Sequence, residues 1–245
     1  MIAVEARNLT KKFKTKTAVN KLNLTVHEGE LFALLGVNGA GKTTTLRMLS
    51  CLSVPTEGEA FINGHSCRSE SAAVKSEIGI SPQDTAVAEN LTVRENLEFI
   101  AKVYGFSPSR IKARTKEMIA LFNMEEVQKT RAKTLSGGWK RKLSIAMALI
   151  SEPRVLFLDE PTLGLDVLAR RELWKAIEGL KGKVTIILTT HYMEEAEQLS
   201  DRIGIMINGR MAALGTRTEL EQLSGQTGLE NAFVAIAERN GAANE

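Results

Sequence analysis

Gly36-Val-Asn-Gly-Ala-Gly-Lys-Thr43 decides how the rest of the chain is read. The octet satisfies GxxxxGK[ST] at every fixed position, the pattern of a loop whose backbone N–H groups curl round phosphate oxygens. Such a curl needs positive φ and no Cβ in the way, which Gly36, Gly39 and Gly41 permit. Before it, residues 31–35 form a continuous apolar run of strand length; after it, residues 42–52 place Leu46, Leu49 and Leu52 on one side of a helix. Strand, loop and helix in this order aim a helix N-terminus at the same anion, a context that a glycine-rich turn merely containing Lys and Thr would lack. The motif therefore implies that Gly36, Asn38, Gly39, Ala40 and Gly41 line a triphosphate cradle. Lys42 would hold the β and γ phosphates, Thr43 would ligate Mg²⁺ and Thr44 would meet the α phosphate.

Further along, the apolar run 155–158 ends in Asp159 and Glu160, with Pro161 stopping it. Two carboxylates emerge at the C-terminal edge of a buried-type strand, where ligands of open parallel sheets bind. Asp159 is placed there to orient Mg²⁺; Glu160, projecting differently, is placed to take a proton from the attacking water. Alone, Asp-Glu-Pro reads as a turn, and its partnership with the phosphate loop reverses that reading. Gln83 follows another short apolar segment and offers a neutral amide able to ligate Mg²⁺ and hydrogen-bond a water, against the plainer reading of a surface glutamine. His191 ends the run 184–190 and is either a donor to the γ phosphate or a structural histidine. Asp166 is suited to cap a helix beginning at Val167.

The whole chain sets the frame. Its 245 residues suit one core with an appended lobe. Lys plus Arg outnumber Asp plus Glu by only 32 to 29, too even for a dedicated nucleic-acid binder. Residues 7–21 collect six basic residues interleaved with apolar ones, the pattern of a solvated hairpin face. The two cysteines, Cys51 and Cys67, lack metal-site spacing and read as small core residues in a reducing setting. Residues 1–7 lack the features of a secretion signal, and no apolar run approaches the ~18 residues of a spanning helix, so membrane contact is expected only through a partner.

Residues 1–32 alternate like antiparallel strands, residues 92–149 turn helical and charged, and strands alternate with helices after Pro153, which implies a parallel sheet covered by helices. Asn208-Gly209 reads as the turn of a closing hairpin. From Gly225 one apolar patch, residues 229–236, precedes a polar end.

Leu135-Ser136-Gly137-Gly138 completes the pattern. It precedes a helix and lies between Gln83 and the Asp159 strand, so Ser136 and the two glycine N–H groups form a second anion cradle at a helix N-terminus. With this order of motifs, residues 3 to about 220 resemble the ATP-binding subunit of ABC transporters. The resemblance implies an α/β P-loop NTPase (RecA-like) core with a parallel sheet flanked by helices, an N-terminal antiparallel β lobe and an inserted helical lobe. Its domains would be an ATP-binding domain over 1–222 and a short tail over 223–245. Within the former, 1–84 and 151–222 are the core lobes and 85–150 the helical signature lobe. The resemblance further implies that Gln83 links lobes, Asp166 lies at a subunit interface, His191 is a switch residue and Phe13 stacks on adenine, where the family usually has Tyr. The plain alternative for Phe13 is a strand core residue.

Trp139 departs from the family pattern, which usually has Gln there, and puts the interface geometry in question. The subunits resembled pair with a separately encoded permease of exporter type, partly through Leu229-Glu-Asn-Ala-Phe233. The expectation is an ATPase that homodimerises around two Mg-ATP and works at the cytoplasmic face of the cell membrane through that permease, without nucleic acid. Two other readings are a soluble ATPase of the same superfamily acting on ribosomes or DNA, and a nucleotide-sensing module that has lost catalysis. The former usually carries tandem copies or coiled-coil insertions, which are absent, and Glu160 and His191 argue against the latter.

Overall fold

The computed structural model describes residues 1–241. In chain order it contains β1 (Ile2–Phe13), β2 (Lys16–His27), β3 (Leu31–Leu35), α1 (Lys42–Leu49), β4 (Glu57–Ile62), β5 (His65–Ser66) and α2 (Ser71–Glu77). Next come β6 (Ile78–Ser81), α3 (Val93–Val103), α4 (Pro108–Leu121), a 3₁₀ turn (Ala132–Thr134), α5 (Gly137–Leu149), β7 (Val155–Asp159) and α6 (Val167–Glu178). The last are β8 (Thr185–Thr190), α7 (Met193–Leu199), β9 (Arg202–Ile207), β10 (Arg210–Gly215), α8 (Arg217–Ser224) and α9 (Leu229–Arg239). The chain forms two compact units, one from residues 1–76 and those from 181 onward, the other from residues 77–180.

In the first unit β1 pairs antiparallel with β2 on one side and with β4 on the other, and β4 with β5. This is the β lobe implied by the alternating N-terminal sequence. A second sheet runs β10-β9-β3-β8, with β3 parallel to β8 and to β9. Every residue of β3 and β8 is buried, which is why β3, and residues 186–188 within β8, read as continuous rather than alternating apolar runs. The β9–β10 turn is Asn208-Gly209, with φ of 47° and 78°; two positive values in succession are what the right-handed twist of a two-residue hairpin selects.

The helix after the phosphate loop ends at Leu49, three residues short of the sequence expectation, because Cys51 takes a left-handed φ of 58°. Cys67 is buried and Cys51 half-buried, both as free thiols, and burial pushes both thiols above their usual range. The segment from 223, expected as a short tail, contains α9, whose buried Leu229, Ala232, Phe233 and Ile236 make up its apolar patch. Residues 242–245 of that expected tail lie outside the described residues.

The second unit contains the helical stretch 85–150. Here β6 pairs in parallel with β7, Ile78 opposite Val155 and Ser81 opposite Leu158. Helix α3 opens with a capping box of Thr92 and Glu95, which satisfies two N–H groups that have no intrahelical acceptor. Helix α5 packs so closely on β6 that a Cβ at Gly79 would lie 2.2 Å from Ala148 O. Residues 141–146 of α5 are all buried, the basic Arg141 and Lys142 included. Among the described residues no helix is long and apolar enough to cross a membrane.

Candidate functional site

In the first unit the phosphate loop joins β3 to α1. Gly39 and Gly41 adopt φ of 82° and 104°, the left-handed region that favours glycine. A Cβ at Gly36 would lie 2.5 Å from Met206 O, and one at Gly41 2.4 Å from Ala18 O, so backbone neighbours exclude side chains at both. A Cβ at Gly39 would meet nothing within 4 Å. At that residue the loop is open, and the space suits an anion rather than a packed side chain. Gly41, the N-cap of α1, supplies no side-chain acceptor, which leaves the first-turn N–H groups oriented for a phosphate. The Lys42 ammonium is buried and donates to Gly36 O at 2.7 Å and Val37 O at 3.2 Å. The loop's own carbonyls thus hold the cation inside the cradle. Asn38 is exposed, Ala40 buried, and Thr43 and Thr44 are half-buried on the first turn of α1.

His191 belongs to the same end of the same sheet. Leu35 is paired with Thr190, and Gly36 N donates to Thr190 O at 3.3 Å, so His191 follows the strand adjacent to the loop. Its ring lies 4.1 Å from that of Tyr192. Phe13 ends β1 opposite Lys16 and is 51% exposed, which rules out the core reading. One ring face has Lys11 Nζ 5.2 Å from its centroid, within cation–π range. Ala18, the neighbour of Gly41, sits only a few residues along the same hairpin.

In the second unit the Ser81–Leu158 rung fixes another edge. Gln83 and Glu160 each lie two residues beyond it, just past the C-terminal ends of the adjacent parallel strands β6 and β7. Asp159 and Glu160 are buried, at 5% and 6% exposure. Glu160 has φ of 48°, uncommon for a residue with a side chain, and such strain persists where the surroundings impose it, often at functional sites. Nothing in the sequence signals it. Gln83 is exposed, and its carbonyl and that of Pro82 accept hydrogen bonds from the Arg141 guanidinium. Sequence reasoning missed this arginine.

Ser136 is the N-cap of α5, its hydroxyl accepting from Trp139 N at 3.5 Å, and Gly137 and Gly138 form the first turn. A Cβ at Gly137 would meet nothing within 4 Å, whereas one at Gly138 would lie 3.3 Å from Ala169 Cβ. Trp139 is engaged within its own unit: Lys142 Nζ lies 4.4 Å from its ring centroid and 2.8 Å from Glu172 Oε2 of α6. The indole lines a cleft of about 520 Å³ with Phe122 and Lys175. Asp166 caps α6, its Oδ1 accepting from Ala169 N at 2.9 Å.

The profile of the family described as ABC transporter matches residues 19–163, from β2 through the phosphate loop and signature turn to just beyond Glu160. This chain belongs to the ABC transporter family. Its ATP-binding domain is 42% identical over 226 residues to the phospholipid-transporting ATPase ABCA3 of Homo sapiens, a match covering 91% of this chain and 13% of that protein. It is 40% identical to the linearmycin resistance ATP-binding protein LnrL of Bacillus subtilis, over 91% of this chain and 73% of LnrL. The likeness is thus to exporter-type members of the family. A dimeric ATP-binding cassette in a post-hydrolysis state, bound to ADP and Pi, shares the fold with a TM-score of 0.78 at 26% identity, over 87% of this chain and 98% of that one.

Proposed function

We propose that this ABC domain hydrolyses Mg-ATP as a homodimer and drives an exporter-type permease at the cytoplasmic face of the membrane. The observation that carries the reading is a pair of glycine-bearing helix N-termini, at Gly41 and at residues 136–138, where a Cβ on Gly39 or on Gly137 would meet nothing within 4 Å, Gly39 also meeting the demand of its left-handed φ. Open glycine at a helix N-terminus suits an approaching anion. Two such turns in one chain suit a triphosphate gripped by one copy and capped by another.

In this reading the first-turn N–H groups and Lys42 hold the β and γ phosphates, Thr44 meets the α phosphate, and Phe13 stacks on adenine through its exposed ring. Thr43, Gln83 and Asp159 would hold Mg²⁺, which neutralises phosphate charge when bound. Glu160 accepts the proton of the attacking water, Lys42 steadies developing charge, and His191 donates to the γ phosphate. Ser136, Gly137 and Gly138 reach the nucleotide of the other copy, and loss of the γ phosphate removes that bridge. Asp166 lies at the interface between copies while capping α6. A permease has a candidate platform in the exposed Phe99, Val103 and Tyr104 at the end of α3, since exposed apolar clusters mark interaction surfaces.

The test is association on nucleotide. Mg-ATP, and not Mg-ADP, is expected to shift the chain from monomer to dimer in sedimentation velocity, and the chain is expected to co-purify with a multi-spanning membrane protein. A monomer at saturating Mg-ATP with no measurable turnover would sink the reading.

Trp139 tunes this association. Trp139→Gln removes the indole face from the buried Lys142, which keeps Glu172 as its partner. The ATP concentration for half-maximal dimerisation is expected to shift by a few-fold, because Trp139 stands directly after the signature turn that would meet the other copy, with turnover per dimer unchanged. If neither dimerisation nor turnover moves, Trp139 is packing alone.

A further inference from the structure

Gln83 is exposed, and its side-chain amide has no hydrogen-bond partner among the described residues, so the region that it can reach is limited by its backbone alone. That backbone is held from one point. Arg141 Nη1 donates to Pro82 O at 2.7 Å and Arg141 Nη2 to Gln83 O at 2.5 Å. Pro82 O belongs to the peptide plane before the Gln83 Cα and Gln83 O to the plane after it. With both planes fixed, φ and ψ of Gln83 are fixed, and with them the direction of its Cα–Cβ bond.

Arg141 is suited to this and costly to place. It is 4% exposed, and a buried charge persists only where hydrogen-bonded or paired. A planar guanidinium offers two parallel donors in a rigid fork, which an ammonium does not. Pro82 adds a fixed φ of its own. The Ser81 and Ser144 hydroxyls, 2.9 Å apart, tie the same strand end to the same helix less than a turn further on. Helix α5 also bears Ser136 and Gly137, so the signature turn and the Gln83 amide are mounted on one rigid element.

We propose that Arg141 is a positioning residue that aims the Gln83 amide at the Mg²⁺ of the bound nucleotide, and through α5 makes that aim move with the signature turn. This rests on the metal-ligand role given to Gln83 above. Partners one shell out from a metal commonly alter its affinity when removed, by about tenfold or more.

The experiment measures the free Mg²⁺ needed for half-maximal ATP-dependent dimerisation of the 245-residue chain by light scattering, alongside amide hydrogen exchange of residues 83–86 without nucleotide. Gln83→Ala and Arg141→Met are each expected to raise the Mg²⁺ requirement about tenfold. The double variant is expected to go no further, and Arg141→Met alone to speed exchange at residues 83–86. Arg141→Lys, which keeps the charge and loses the fork, is expected to fall between and carries the comparison if Arg141→Met does not fold. A raised requirement in Gln83→Ala with none in either Arg141 variant would overturn the positioning role alone. Multiplying effects in the double variant would overturn it too, because the residues would then act separately. No change in Gln83→Ala would remove the metal-ligand reading of Gln83 and this inference with it.

Discussion

Glu160→Gln is expected to stop turnover while leaving ATP binding in place. Gln keeps the size of the side chain and one acceptor oxygen, exchanging the other for an NH2 donor, and cannot take up a proton, so a general base is deleted with little change of shape. Removal of such a group typically lowers kcat by about 10²–10⁴-fold. The backbone sharpens the expectation. Glu160 is held at φ 48°, a conformation costing about 1–3 kcal/mol for a residue with a Cβ. The Leu163 N–H donates to Glu160 O at 3.2 Å and that of Leu165 to Thr162 O at 3.1 Å, closing the turn that follows. Gln bears the same strain as Glu, so the melting temperature should hardly move.

The cradle of residues 36–43 is untouched by this substitution. Nucleotide affinity per subunit should therefore persist, and the dimer formed on Mg-ATP should become long-lived, because the bridging γ phosphate is not removed. Single-turnover hydrolysis and analytical ultracentrifugation with Mg-ATP check both halves. Undiminished hydrolysis would take the base role from Glu160, and loss of binding together with turnover would make the residue structural.

The contrast between what the sequence discloses and what it hides follows the range of each interaction. The phosphate loop, the 155–158 strand and the Asn208-Gly209 turn depend on neighbours along the chain, and all three are legible. Strands β1 and β2 are each 12 residues long, and neither alternates throughout. Register shifts near Ala6 and Leu9 and positive φ at Asn8 and Lys21 break the period that a reading by alternation relies on. Helix α8 carries its signal openly, in the capping box of Thr216 and Glu219, yet its polar composition hides it among loop-like residues.

The charged stretch Lys140-Arg141-Lys142 shows the limit most clearly. Read locally, three basic residues make a solvated helix face. Arg141 and Lys142 are instead buried, because their partners, the carbonyls of residues 82–83 and the Glu172 carboxylate, lie far away in sequence. The strain at Glu160 is equally invisible, since it is imposed by packing rather than by residue type.

Gly137→Asp separates folding from function at the signature turn and should abolish ATP-dependent dimerisation without loss of stability. A Cβ there has open space, and φ lies outside the left-handed region, so the fold makes no demand for glycine. A carboxylate in the first turn of a helix is favoured by the dipole by about 0.3–1 kcal/mol, and glycine is a poor helix former. The melting temperature of the nucleotide-free chain should stay level or rise. Gly138 is the less clean choice, because its Cβ would press on Ala169 at 3.3 Å.

A γ phosphate delivered by a second copy would meet that new carboxylate across a few ångströms. Like charges about 4 Å apart repel by about 4 kcal/mol at an effective dielectric of about 20. At about 1.4 kcal/mol per tenfold, that weakens each of the two symmetric contacts by nearly three orders of magnitude. The aspartate also competes for the first-turn N–H groups that the phosphate needs. ATP affinity of the single subunit should be unchanged, since residues 36–43 are not involved. Differential scanning calorimetry, nucleotide titration and sedimentation with Mg-ATP read the three quantities apart. Normal dimerisation in Gly137→Asp would mean that no anion reaches this turn. A melting temperature lowered by several degrees alongside lost dimerisation would move the effect from the interface to the fold.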